Sequence, residues 1–287
     1  MKRKKHKTPA LYYVVAVILI AVLAFSGYQA LKIYLPQSKE SGDFESVKEE
    51  AGVKDVTAQD ILDQSASSNP DDTDNNTSDN QSDNPDTSGS QTVVNINDHT
   101  PFQYLAEDNS DFVGWLSIED TVIDYPVMKS SESDPEYYLH RDFDKNYSYS
   151  GTLFIGEGCN ADSDAFVIYG HNMNSGSMFG SLDSYKSGSF ALEHKDIVFR
   201  TQKENRVYRV FAAFQTSLQD DSDEFAYYRS VGKLNKAEYE DVLDNIQKMS
   251  LISLNEAPEY PEQIMFLSTC YYHTDEGRFV VAAYRIA

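Results

Sequence analysis

Positive charge and cysteine are both scarce in this chain. Across 287 residues, 24 Lys+Arg stand against 46 Asp+Glu, a formal net charge of −22. The clustered cations with which nucleic-acid binders neutralise phosphates are therefore missing. Two cysteines cannot build a disulfide framework or a four-cysteine zinc site. No internal repeat is apparent and no metal-ligand spacing stands out. An Asp-rich stretch offers carboxylates without an ordered cage, so weak calcium association is the most it suggests; no metal and no cofactor is expected. What is present is apolar: hydrophobic residues at 40% and aromatics at 13% are too many for a wholly disordered chain, and at least one packed domain is required.

Charge is unevenly spread. Residues 1–35 carry about +6, residues 36–100 about −12 and residues 101–287 about −16. The chain opens MKRKKHK and then runs from Thr8 to Leu31 without a charge, with an apolar centre at 11–25. At about 1.5 Å per helical residue that run spans the hydrocarbon of a bilayer. The expectation is a basic cytoplasmic tail at 1–10 and a transmembrane anchor at 11–35. By the positive-inside rule the remainder is exported, which gives a cell-membrane protein that crosses once. A cleaved signal peptide is the alternative, since it begins in the same way. Residues 36–100 read as an acidic, low-complexity extracellular tether. Within them 65–91 (SASSNPDDTDNNTSDNQSDNPDTSGSQ) holds no aromatic and no large aliphatic residue, whereas 44–63 has spaced apolar positions compatible with a short helix. The folded, catalytic domain is placed at 101–287, long enough for one well-packed core.

Within that domain, strand-like runs recur at 113–118, 121–128, 152–155, 165–169, 196–201, 206–217, 264–269 and 278–285. They are short, rich in β-branched and aromatic residues, and separated by Gly, Asn, Asp and Ser clusters, a pattern of a mainly β barrel or sandwich. One helix is well marked before the strand at 264. Asn235 can cap it, Glu238 completes a capping box, and Tyr239, Val242, Leu243, Ile246 and Met249 share one face. Shorter helices are expected at 102–107 and 177–185.

Three residues could carry chemistry together. The strand IMFLST runs into Cys270, and Arg278 opens the next strand, RFVVAAYR. Adjacent pairing of these strands brings a guanidinium to a thiol and favours the nucleophilic thiolate. Of six histidines, His171 is delivered by the strand AFVIY through Gly170 into a polar loop, a placement suited to a proton-transfer partner. Spacing alone leaves other readings open: a Cys159–Cys270 disulfide, inert thiols, or a non-catalytic binding module.

The runs VGWLSI, DYPVM, YGHNMNSGSMFG and FLSTC followed by RFVVAAYRI resemble the sortases, and among them the class B sortases of Gram-positive bacteria. The resemblance covers nearly all of 101–287. It implies an eight-stranded sortase-type β-barrel, mainly β, with a long helix inserted before the cysteine strand and a short N-terminal helix. It also implies catalytic roles for His171, Cys270 and Arg278, and substrate contacts for Tyr169 and Ser268. The implied activity is a cysteine transpeptidase, anchored in the membrane through its N-terminal helix. It cuts a C-terminal sorting signal of a surface protein or pilin at a Thr carbonyl, and passes the acyl group to an amine of a peptidoglycan precursor or pilin. A cysteine endopeptidase using the same residues is the alternative. Tyr271 stands where some relatives carry an acidic residue, and Cys159 matches no catalytic motif.

Overall fold

The computed structural model describes residues 10–67, 95–218, 225–254, 256–270 and 276–287. Its strands are β1 (Phe112–Ser117), β2 (Asp124–Met128), β3 (Leu153–Ile155), β4 (Ala165–Tyr169), β5 (Asp196–Thr201), β6 (Asn205–Ser217), β7 (Ile264–Cys270) and β8 (Gly277–Arg285). The helices among the described residues are α1 (Ala10–Ala51), α2 (Ala58–Ser67), α3 (Thr100–Asp108), α4 (Gly188–Glu193) and α5 (Lys236–Met249). The strands close into a barrel in the order β1-β2-β3-β4-β7-β8-β6-β5, as the eight apolar runs and their turn clusters lead one to expect. On its strands Trp115, Phe166, Phe199, Phe214 and Phe266 are fully buried, each stabilising the fold by roughly 1.5–3 kcal/mol.

The barrel is mixed. β2 with β3 and β4 with β7 run parallel, while the other neighbours are antiparallel. Parallel strands end at the same rim, so the residues after β4 and the last residues of β7 arrive at one place, and β8 starts there.

α5 forms as its capping box dictates. The Asn235 side chain accepts from the N–H groups of Ala237 and Glu238, and the Glu238 carboxylate accepts from the Asn235 N–H at 2.8 Å. Its face of Tyr239, Val242 and Ile246 is buried, and the helix packs on β6. The helix expected at 177–185 is replaced by turns, a 3-10 helix at Leu182–Lys186, and α4. Met178 is the cause: it sits in the left-handed region at φ 53, and its N–H is given to the Tyr125 hydroxyl at 3.2 Å instead of to a helical carbonyl.

Packing on the barrel reaches back well before Pro101. Phe44 and Val53 join the main core, with the Phe44 ring edge-on to Tyr125 at 5.6 Å. Between α1 and α2 the chain turns at Gly52, whose φ of +73 belongs to the region only glycine adopts freely. Lys48 is ion-paired with Asp55 and with Asp124, the latter at 2.5 Å, and Trp115 Nε1 donates to the other Asp124 oxygen at 2.6 Å. Beyond the turn, Val56, Ala58 and Ile61 share an apolar cluster with Ile96, Val198 and Val207. Both described ends of the acidic stretch thus rest on one side of the barrel. Residues 68–94, the middle of the stretch read as a tether, and residues 1–9 of the basic tail lie outside the described residues.

The expected membrane anchor at 11–35, and with it the single-pass localisation and the membrane as a partner, is corrected. Among the described residues no helix is long and apolar enough to cross a membrane. The apolar run is not a separate element bounded to a bilayer's thickness. It is the opening of α1, which continues unbroken through the charged residues 38–51 and ends seated on the barrel through Phe44 and Lys48.

Candidate active site

The three expected chemical residues meet at the rim where β4 and β7 end. In the β4–β7 ladder Tyr169 lies beside Ser268, and in the β7–β8 ladder Cys270 lies beside Arg278. The parallel ladder continues past β4. Gly170 N–H donates to the Ser268 carbonyl at 3.1 Å, and Thr269 Oγ1 donates to the Gly170 carbonyl at 2.8 Å. His171 therefore falls in the row of Cys270, and Arg278 comes next in the adjoining strand, with neighbouring strands about 4.8 Å apart. Gly170 makes this approach possible: a Cβ there would come within 2.5 Å of Leu153 Cδ2 and 2.7 Å of Phe179 Cδ2.

His171 is half-buried, and its Nε2 lies 2.8 Å from the Leu139 carbonyl. A carbonyl only accepts, so Nε2 carries the hydrogen and Nδ1 is the free basic position of the neutral ring. Burial pushes the pKa of His171 below its ordinary value, the hydrogen bond to Leu139 opposes this, and charge on His140 adds to it. The His140 ring is 5.3 Å away, centroid to centroid. The main chain of His171 is held as well, because Phe179 N–H donates to its carbonyl at 3.0 Å.

Arg278 has 18% of its side chain exposed. Its Nη1 donates to the Gly277 carbonyl at 3.0 Å, and its Nη2 stands 3.6 Å from the exposed Glu276 carboxylate. A guanidinium has five N–H groups, so donors remain for a ligand in the cavity that Arg278 lines. That cavity measures about 630 Å³ and is also walled by Tyr169, His171, Ser268, Leu139 and Tyr228, a size ordinary for ligand clefts. A second cavity of about 270 Å³, between α1, α3 and residues 142–146, contains none of the expected residues. Among the described residues no group of His, Cys, Asp and Glu could hold a metal ion.

Tyr169 and Ser268 occupy the cavity wall differently from a pair of open contacts. Ser268 has no exposed surface, and its hydroxyl is 2.6 Å from that of Tyr227. Tyr227 in turn hydrogen-bonds Tyr169, and burial together with that neighbour pushes Tyr169 far above the ordinary tyrosine range, so it stays a neutral phenol. The structure thus brings all five expected residues to one rim, with Ser268 bracing Tyr227. Cys159 is a buried free thiol whose pKa burial raises, and the alternative Cys159–Cys270 disulfide is not formed. Tyr271 lies outside the described residues.

Sequence reasoning missed Leu139, His140 and Tyr227. Leu139 acts through its carbonyl, which no side-chain pattern reveals. His140 could have been noticed as an imidazole in the aromatic run YYLH, and Tyr227 as one of two tyrosines before α5.

Comparison with known proteins agrees with this fold. Residues 116–286 match the family described as the sortase domain. Sortase B of Listeria monocytogenes is 32% identical over 177 residues, covering 60% of this chain and 69% of that protein. Sortase B of Staphylococcus aureus is 30% identical over 187 residues, covering 63% and 73%. Among solved structures, a Staphylococcus aureus sortase B–substrate complex superposes with a TM-score of 0.56 at 27% identity, covering 66% of this chain and 85% of that one. Clostridium perfringens sortase B superposes with a TM-score of 0.56 at 28% identity, covering 64% and 99%.

Proposed function

The chain belongs to the sortase family, and on that premise we propose that Cys270 is the nucleophile, His171 the acid and base, and Arg278 the oxyanion donor of its transpeptidation. A cysteine transpeptidase of the sortase type acts on a sorting signal and an amine acceptor. The observation that carries the assignment is the row His171, Cys270, Arg278 across three neighbouring strands, with His171 and Arg278 lining the 630 Å³ cavity.

In this reading the Cys270 thiolate attacks the carbonyl carbon of a Thr in the signal. Negative charge gathers on the carbonyl oxygen, where the Arg278 N–H groups stabilise it. The C–N bond breaks as protonated His171 gives its Nδ1 proton to the leaving amine, leaving a thioester and a neutral imidazole. An incoming amine then attacks the thioester, its proton passes to His171, and the thiolate departs as the new amide forms. Tyr169 and Tyr228 wall the groove that receives the signal, with the buried Tyr227 braced behind Tyr169. The donor is a surface protein or pilin, and the acceptor an amine of a peptidoglycan precursor or pilin. The folded part at 101–287 carries the chemistry, with 36–100 as its acidic extension.

The test tracks the acyl group. One solved sortase B is complexed with a glycine tripeptide, which makes oligoglycine a fitting first acceptor. The full chain, incubated with signal peptides and oligoglycine, is expected to yield an amide product and a thioester adduct on intact mass. Cys270→Ala is expected to lose both, and ligation retained in that variant would end the assignment. Hydrolysed peptide alone, even with amine in excess, would mark an endopeptidase.

A further inference from the structure

We propose, resting on the reading of His171 as the catalytic imidazole, that His140 is a positioning residue that acts through His171 and governs the pH at which the catalytic proton arrives there. The two rings are 5.3 Å apart with their planes inclined by 35°. They are also joined through the backbone. His140 closes the 3-10 helix Tyr137–His140, and the residue before it supplies the carbonyl that fixes His171 Nε2. His140 itself is held at the rim by Tyr147, whose ring lies 6.3 Å from it with planes inclined by 21°, and by its own carbonyl, which accepts from Ser148 N–H at 3.2 Å and from Arg141 Nη1 at 3.1 Å.

At this separation two imidazolium ions repel, and because the His171 ring is half-buried the repulsion is less screened than between surface groups. Among the described residues the other charged or titratable groups around His171 are few. Arg278 from β8 and Cys270 from β7 flank it in the row, neutral Tyr169 precedes it on β4, and Arg141 comes after His140 on the rim. Glu136, Glu157 and Arg229 line the same cavity. Among the described residues His140 is the neighbour that shares a ring contact with His171, and an imidazole is positively charged when both ring nitrogens carry hydrogen. As the pH falls, a proton on His140 therefore delays protonation of His171, so the doubly protonated thiol–imidazolium form takes over at lower pH than it would beside an uncharged neighbour.

The experiment compares the full chain with His140→Gln and His140→Lys. His140 is exposed, so both variants are expected to fold. The readouts are the imidazole resonance of His171 across a pH titration and the acid limb of kcat/KM for ligation. Removing the titrating charge in His140→Gln is expected to move both to higher pH by a few tenths of a pH unit. The permanent cation in His140→Lys is expected to move both the other way, with KM for the signal peptide unchanged in each. A His171 titration that stays in place in both variants overturns the role of His140. His171→Ala separates this from the underlying reading: ligation retained in that variant overturns the catalytic assignment itself, whatever the resonances show. Ligation lost there with an unmoved His171 resonance in His140→Gln overturns the role of His140 alone.

Discussion

Lys48 and Arg278 are both cations with little exposed side chain, 11% and 18% respectively, yet their surroundings are opposite. Lys48 stands between Asp55 and Asp124, and Asp124 is further bound by the Trp115 indole. Burial pulls its pKa down, but the two carboxylates more than offset this and hold it above the ordinary lysine value. Arg278 has a carbonyl and one carboxylate at 3.6 Å, at the edge of a cavity. A buried cation with its charge fully answered ties α1 to the barrel; one with donors to spare is prepared for negative charge that arrives later. On the proposed assignment the chain thus separates a structural ion pair at one place from an electrostatic tool at another.

That separation can be broken most sharply at Arg278. Arg278→Ala is expected to lower kcat for ligation by roughly 10²–10³ while the thermal midpoint changes little. Arg278→Lys is expected to recover only part of the loss, since a point charge cannot reproduce the planar fork of donors. Lys48→Met should do the reverse, costing about 2 kcal/mol of stability in urea unfolding and leaving kcat/KM within a few-fold. The figure is set below that of a fully buried broken pair because Asp55 is 87% exposed.

A smaller effect comes from His171. Burial, aided by charge on His140 and opposed by the Leu139 carbonyl, places its pKa below the ordinary 6.5. The fold therefore favours the neutral ring. Its contribution to stability is present above about 6.5 and is lost as the pH falls through the lower, folded value. The acid limb of kcat/KM, measured with a signal peptide, is expected below about 6.5 for the same reason. The smallest effect is expected at the second cysteine. Cys159→Ala should leave ligation unchanged and cost about 1 kcal/mol, the loss of one buried thiol; a large loss of ligation would give Cys159 a part in the chemistry.

Much of this was legible in the residues. The eight strands could be read because each is a short β-branched or aromatic run between turn-formers, and α5 because Asn235 and Glu238 announce its start. His171, Cys270 and Arg278 could be placed at strand ends by the same means. The parallel pairing of β4 with β7 could not be read locally, because nothing within AFVIY or IMFLST states which distant strand lies alongside. The support of His171 by Leu139 was hidden for a different reason, as a main-chain oxygen is common to every residue. The anchor expectation failed where hydropathy was read without its continuation. Phe44 and Lys48 look like ordinary positions in a charged segment, and only their partners Tyr125 and Asp124 show why α1 carries on to the barrel. Met178 likewise breaks an expected helix because a tyrosine 53 positions earlier takes its N–H.

Ile61 and Ile96 rest in one apolar cluster against Val198 and Val207, and this has a thermodynamic meaning. The acidic stretch between them is closed at both ends on the same wall, which makes it topologically an insertion and not a link in series. Closing a loop costs only about 0.6 kcal/mol more for each doubling of its length. Barrel stability is therefore nearly indifferent to the length of that stretch, so its length and its dense negative charge can change without disturbing the row of residues on the rim of β4, β7 and β8.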